Sequence, residues 1–188
     1  MSETGDVEFE PDAQYVAKLL AGTVGLAAIA SLAGLKPPLP LLIPPLLSAI
    51  TLVKKPELDL STLKTRGGMN SELLAPAGVA AGCKPPPSGT AKVYPVDKQT
   101  LKDRFLRVIA AQPRTVLSVV SQDKETYGFV ARSLLMQYPD LVTVSFLDVE
   151  PGQSSTLAIY SQSIYGQGDL GANKKRVTEW LAALDKEL

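Results

Sequence analysis

The sequence predicts an α+β fold in its C-terminal part. Residues 90–188 read as a small antiparallel sheet with two helices, in the order β-α-β-β-β-β-α. Three observations carry this. Two segments place apolar residues at helical spacing, and they enclose four runs with β-like composition. Those runs are joined by short polar turns, which fit neighbouring antiparallel strands rather than crossovers. The segment is also long enough to bury a core of its own.

Each element has a local reason. Ala91–Val96 is short and β-like. Asp97 is placed to cap a helix that Pro113 ends. Leu101, Phe105, Val108 and Ile109 form the apolar face of that helix, with Lys102, Arg104 and Arg107 mostly off it. Thr115–Ser121 is rich in β-branched residues and leads into the polar turn Gln122–Glu125. Thr126–Met136 is the next strand, Leu141–Val149 alternates as a third, and Pro151-Gly152 marks a turn. Thr156–Tyr165 is the last strand. A closing helix covers Ala172–Glu187 and buries Val177, Trp180, Leu181 and Leu184.

Composition excludes more than it assigns. The chain has 188 residues, 19 basic and 19 acidic side chains, no histidine and one cysteine. Zero net charge argues against a general nucleic-acid binder. Without histidine there is no Ser-His-Asp triad and no ordinary histidine metal site. A single cysteine, Cys83, excludes an intrachain disulfide and reads as an inert thiol. The remaining carboxylates, Asp140, Asp148, Glu150 and Asp169, and the hydroxyls of Tyr127, Tyr138, Tyr160 and Tyr165 have no catalytic spacing. The chain reads as a non-enzyme with no intrinsic cofactor and no metal.

The neutral sum hides unlike pieces. Residues 1–14 are an acidic tail. Residues 15–35 carry one charge, Lys18. As a helix they span about 30 Å, the thickness of a bilayer core, and they read as a transmembrane helix. Leu19, Leu20, Val24, Leu26, Ile29 and Leu32 each favour insertion by about 0.3–0.6 kcal/mol. Ala17, Ala21, Gly25 and Ala28 put small residues on one face, which lets helices pack closely in a membrane.

Residues 36–89 read as a proline-rich apolar strap and an extended linker. Residues 37–45, PPLPLLIPP, cannot form a lipid-exposed helix because proline removes backbone donors. A second span over residues 36–53 is the less favoured alternative. Residues 54–89 read as irregular, with a helical turn near Ser71–Leu74. The positions of Lys18, Lys36, Lys54 and Lys55 place residues 54–188 on the cytoplasmic or stromal side. Neither a secretory signal nor an Arg-rich transit peptide is evident at the acidic N-terminus.

Gly166-Gln167-Gly168-Asp169-Leu170-Gly171 fits G-x-G-x-x-G between a strand and a helix. The chain that follows is too short for the second strand and acidic residue of a dinucleotide fold. A reduced reading remains. Gly166, Gly168 and Gly171 would bring Lys174, Lys175 and Arg176 to a helix start that favours anions, there to hold a phosphate, a lipid headgroup or an acidic partner. In the competing reading, Asp169 or Asn173 caps the helix and the bases are solvated.

The run Tyr165–Val177 (YGQGDLGANKKRV) resembles the C-terminal signature of the domain-of-unknown-function 1499 family. There Asp-Leu-Gly, one variable residue, Asn and basic residues precede a closing helix. Gln137-Tyr138-Pro139-Asp140-Leu141-Val142 is similar to the family's aromatic-Pro-Asp-Asp-Val element, with Leu141 in place of the second Asp. Gln162 and Ile164 stand where the family usually has basic residues, and its Cys-Pro-Asn-Cys-like stretch is faintly echoed around Cys83. The resemblance covers about residues 91–188. It implies no reaction. It does imply a setting, since members occur in bacteria and in chloroplasts of algae and plants, often near membranes.

These readings combine into one functional expectation. The chain is a membrane-anchored accessory subunit of a larger membrane protein complex, photosynthetic and in the thylakoid, with its C-terminal domain on the stromal side. Its partners are the membrane and other subunits, not nucleic acid. Pigment or lipid contacts would come from the complex. The alternatives are an anion- or lipid-headgroup-binding module, a respiratory complex, and a bacterial inner membrane with the domain on the cytoplasmic side.

Overall fold

A computed structural model of the chain describes residues 7–8, 55–61, 70–134, 138–166 and 168–188. The expected transmembrane helix at 15–35, its small-residue face Ala17, Ala21, Gly25 and Ala28, and the apolar strap at 36–53 lie outside the described residues. Among the described residues no helix is long and apolar enough to cross a membrane.

The described residues form an α+β unit with an eight-stranded, mostly antiparallel sheet. In chain order the elements are β1 (Val7–Glu8), β2 (Ser71–Ala75), β3 (Gly89–Thr90), β4 (Val93–Tyr94) and α1 (Lys98–Ala110). They continue with β5 (Thr115–Val120), β6 (Thr126–Arg132), β7 (Pro139–Glu150), β8 (Ser154–Ser163) and α2 (Ala172–Glu187). The spatial order is β1-β5-β6-β7-β8-β2-β3, and β4 pairs with the first half of β8. From β4 onward the element order is the one the sequence predicts.

The helices pack together on one face of the sheet because the strands alternate. Val142, Val144 and Phe146 on β7, with Leu157 and Ile159 on β8, point to that face. They meet Leu101, Phe105 and Ile109 of α1 and Val177, Trp180 and Leu184 of α2, all buried. The Phe105 ring sits edge-on to both Phe146 and Trp180, at 5.7 and 6.4 Å between centroids. Burying each such side chain stabilises the fold by about 1.5–3 kcal/mol. Leu181 is only half-buried, at the margin of this core. Asp97 caps α1 as its position predicts, accepting from the Thr100 N–H at 2.9 Å.

The sheet begins earlier in the chain than periodicity suggests. Ser71–Leu74 forms strand, not a helical turn. Its residues pair antiparallel with β8, Ser71 opposite Gln162 and Leu74 opposite Ile159. The physical reason is non-local: β8 would otherwise leave its second half unpaired along one edge. In the other direction β6 stops at Arg132, short of the expected Met136. Ser133 turns the chain there, exchanging hydrogen bonds with the Tyr138 backbone.

The second face of the sheet is covered by the segment read as linker. Leu60, Leu73, Ala80 and Cys83 pack against Ala158 and Tyr160 of β8. Residues 55–61 cross this face. Thr143 Oγ1 donates to the Glu57 carbonyl at 2.7 Å, and buried Cys83 donates its thiol to the Leu60 carbonyl at 3.1 Å. Gly128 allows the crossing. A Cβ there would lie 2.5 Å from Val119 Cγ1 and 2.8 Å from Pro56 Cβ. Gly128→Ala should therefore destabilise the protein by about 1–3 kcal/mol through overpacking. Urea unfolding measures this, and an unchanged midpoint would show that residues 55–61 do not press on the sheet.

Candidate functional site

One end of the sheet gathers the polar residues that the sequence singles out. Strand register fixes which end it is. Thr115 lies opposite Ala131, Arg132 opposite Pro139, and Asp140 opposite Ser163. The first turn of α2 descends onto the same end.

A buried polar network ties α2 to the sheet there. Ser161 and Ser163 follow Leu157 and Ile159 in the alternation of β8, so they face the helices, and both are buried. Asn173 in the first turn of α2 is 0% exposed. Its amide nitrogen donates to Ser163 Oγ (2.9 Å), to Asp169 Oδ2 (2.6 Å) and to the Asn70 carbonyl (3.1 Å). Its oxygen accepts from Ser161 Oγ (2.6 Å) and from Arg176 Nη1 (2.7 Å). Arg176 Nη1 also reaches Ser161 Oγ (2.9 Å), and its Nη2 pairs with Asp140 Oδ2 on β7 at 2.5 Å. Both side chains of that ion pair are largely buried, 14% and 9% exposed.

The helix start is occupied by the protein's own carboxylate. Asp169 Oδ1 accepts from the Gly171 N–H (2.8 Å), Oδ2 from the Asn173 N–H (3.0 Å), and the Asp169 carbonyl from the Ala172 N–H (3.0 Å). Burial pushes the Asp169 carboxyl up, but hydrogen bonds from Asn173 and Gly171 outweigh it and hold the group below its ordinary range. Gly166 and Gly171 have φ values of 88° and 79°, which explains glycine at both turns.

The structure therefore divides the residues of the sequence-predicted anion site. Arg176 is committed to Asp140 and Ser161. Lys174 and Lys175 are exposed, with Lys175 3.8 Å from Glu179 one turn on. Gly166, Gly168 and Gly171 shape the loop beside Asp169. The four carboxylates also separate. Asp140 and Asp169 meet in this network, whereas Asp148 lies at the opposite end of the sheet with Lys98, 2.9 Å away. Among the described residues no group of His, Cys, Asp and Glu is placed to hold a metal ion.

Sequence reasoning did not assign Ser161, Ser163 or Asn70 to a site. A signal existed for the two serines, since they are polar residues in phase with the core-facing side of an apolar strand. For Asn70 there was none, because its part is played by the backbone carbonyl.

The same end exposes large apolar side chains. Leu134, Tyr138, Tyr165 and Leu170 stand in the two loops around the network, Leu170 fully exposed. The Tyr138 and Tyr165 rings lie 6.4 Å apart.

The family described as "Protein of unknown function (DUF1499)" matches residues 79–184. No curated protein matches the chain. The chain belongs to the DUF1499 family. The two sequence elements that carried the resemblance, Pro139-Asp140 and Gly166–Arg176, are joined in space by the Asp140–Arg176 pair.

Removing one partner of a buried pair strands the other charge. Arg176→Met should cost about 3–5 kcal/mol in urea unfolding, and Asp140→Leu combined with Arg176→Met should recover a large part of that loss. A single variant within about 1 kcal/mol of wild type would show that the pair is not buried in solution. The depressed Asp169 carboxyl stabilises the fold above its unfolded value, and that stability is lost as pH falls through the folded value. In Asp169→Asn the decline of the thermal midpoint below about pH 4 should be shallower than in wild type. An identical decline would contradict this.

Proposed function

We propose that this DUF1499 member is a non-catalytic accessory subunit that docks on a larger membrane protein complex. The observation that carries the reading is the pairing of exposed apolar side chains with bases at one end of the sheet. Leu170 and Leu134 are 103% and 68% exposed, and Tyr138 and Tyr165 stand beside them. Lys174 and Lys175 flank the group. Large apolar side chains clustered at a surface favour a partner or a membrane interface over bulk water. Tyrosine and lysine suit that boundary because each has an apolar body and a polar tip.

The rest of the chain supports the same reading. Residues 15–35 are long and uncharged enough to span a bilayer, and residues 37–45 form an apolar, proline-rich stretch that calls for a partner surface. The chloroplast and bacterial membership of the family points to a photosynthetic complex in the thylakoid, with residues 54–188 on the stromal side. A respiratory complex or a bacterial inner membrane is the alternative. Contacts with pigment or lipid would be supplied by that complex. An anion- or headgroup-binding module is the second reading, and it draws on the bases of the same end.

In mild detergent the full chain should co-migrate with a large membrane complex on native gels. Tyr165→Ser with Leu170→Asp should weaken that association while leaving stability within about 0.5 kcal/mol, since both are exposed. Migration of the wild-type chain as a free monomer, or undiminished association of the double variant, would overturn the proposed docking end.

A further inference from the structure

The fold holds together the two ends of the apolar stretch 15–53. β1 precedes that stretch in the chain, yet it pairs with β5, Val7 opposite Val120 and Glu8 opposite Val119. Pro56 comes just after the stretch and packs on Gly128 of β6. A Cβ added at Gly128 would lie 2.8 Å from Pro56 Cβ and 2.5 Å from Val119 Cγ1. Val119 is also the strand partner of Gly128, so both anchor points share it. Neighbouring strands lie about 4.8 Å apart, which puts Glu8 and Gly128 roughly 10 Å from each other across β5.

This proximity constrains how the chain crosses a membrane. A single crossing at 15–35 would put Val7 and Glu8 on one side of the bilayer, with Val119 and Val120 on the other. The hydrogen bonds of a strand pair cannot reach across about 30 Å of hydrocarbon. The number of crossings between Glu8 and Lys55 is therefore even, and with residues 15–35 in the membrane it is two. The sequence has room for the return. Residues 36–53, extended at about 3.1 Å each, reach well beyond the thickness of the core. Two crossings also gather Lys18, Lys54 and Lys55 at one surface and leave Lys36 alone at the far turn, the asymmetry that the positive-inside bias favours.

We propose that residues 9–54 are a membrane hairpin that enters and leaves the bilayer on one side, with the β5–β6 side of the domain turned toward that surface. The inference rests on the membrane-anchored reading above. It departs from the single-span expectation, since it places the acidic tail on the same side as residues 55–188. Short tethers set the orientation. Residues 9–14 allow at most about 25 Å between β1 and the start of the apolar stretch at Tyr15, and Lys54 and Lys55 are all that separates Val53 from Pro56. The return limb has a partner of stated kind. Its prolines 37, 38, 40, 44 and 45 prevent a regular helix, so its backbone carbonyls cannot be satisfied in lipid. Such a limb is tolerated at membrane depth only against protein, which assigns it to a neighbouring subunit.

Sided thiol labelling of the full chain in sealed membrane vesicles tests this. Ser2→Cys marks the tail, and Gln153→Cys marks the exposed turn between β7 and β8. Buried Cys83 stays in place, and the wild-type chain sets its unreactive background. With a membrane-impermeant maleimide the two variants should behave alike, both labelled or both protected, and both should react once the vesicles are permeabilised. The chain should also stay in the membrane through an alkaline carbonate wash. Labelling of one variant with protection of the other would overturn the hairpin, and so would release of the chain by carbonate. Docking of Leu134, Tyr138, Tyr165 and Leu170 is read separately on native gels. Opposite-sided labels with intact co-migration would sink the hairpin alone, and same-sided labels with lost co-migration would sink the docking alone.

Discussion

The arrangement at the functional end depends on one buried ion pair, Asp140 with Arg176. Two charges withdrawn from water are costly unless their remaining hydrogen-bonding capacity is met. Here Asn173 and Ser161 receive the second arm of the guanidinium. Asn173 in turn binds Asp169, Ser163 and the Asn70 backbone. One polar cluster thereby fixes β7, β8, the approach to β2 and the start of α2 relative to each other. The apolar core could hold α2 against the sheet, but apolar packing alone would tolerate a shift along the helix axis. The network specifies one position.

That position has consequences for the surface. With Asp169 folded under the helix start, Leu170 is forced outward in a left-handed conformation, φ 53°. Tyr165 leaves β8 where Ser163 enters the network, and Tyr138 precedes Asp140 by two residues. The exposed apolar group is therefore held by its immediate neighbours in the buried one. The same geometry turns Arg176 away from solvent and leaves Lys174 and Lys175 outside. A rigid polar interior and an apolar, basic exterior are two sides of one arrangement.

Much of the C-terminal fold was legible because its signals are local. Helical spacing located both helices, Asp97 marked a cap, and β-branching in Thr115–Ser121, alternation in Leu141–Val149 and the polar or Pro-Gly turns between runs marked the four main strands. Strand β2 was not legible. Ser-Glu-Leu-Leu-Ala has no decisive period, and its pairing depends on the open edge of β8, which lies far away in sequence. The covering of the second face was hidden for the same reason. Only Gly128, placed in a strand where a side chain would be expected, hinted that another segment passes close by. At the site, the glycines and Asp169 were legible as turn and cap chemistry. The pairing of Asp140 with Arg176 was not, since 36 residues separate them and only the sheet register brings them together.

The central claim is that the polar network locks the start of α2 to the sheet. Native-state amide hydrogen exchange on the full chain tests it most directly, because exchange reports local opening residue by residue. If the network locks this junction, the amides of Asn173 and Arg176 should exchange as slowly as those of Val142 and Ile159 in the core strands. Fast exchange at 171–176 beside a protected β7 and β8 would show a frayed helix start and contradict the account.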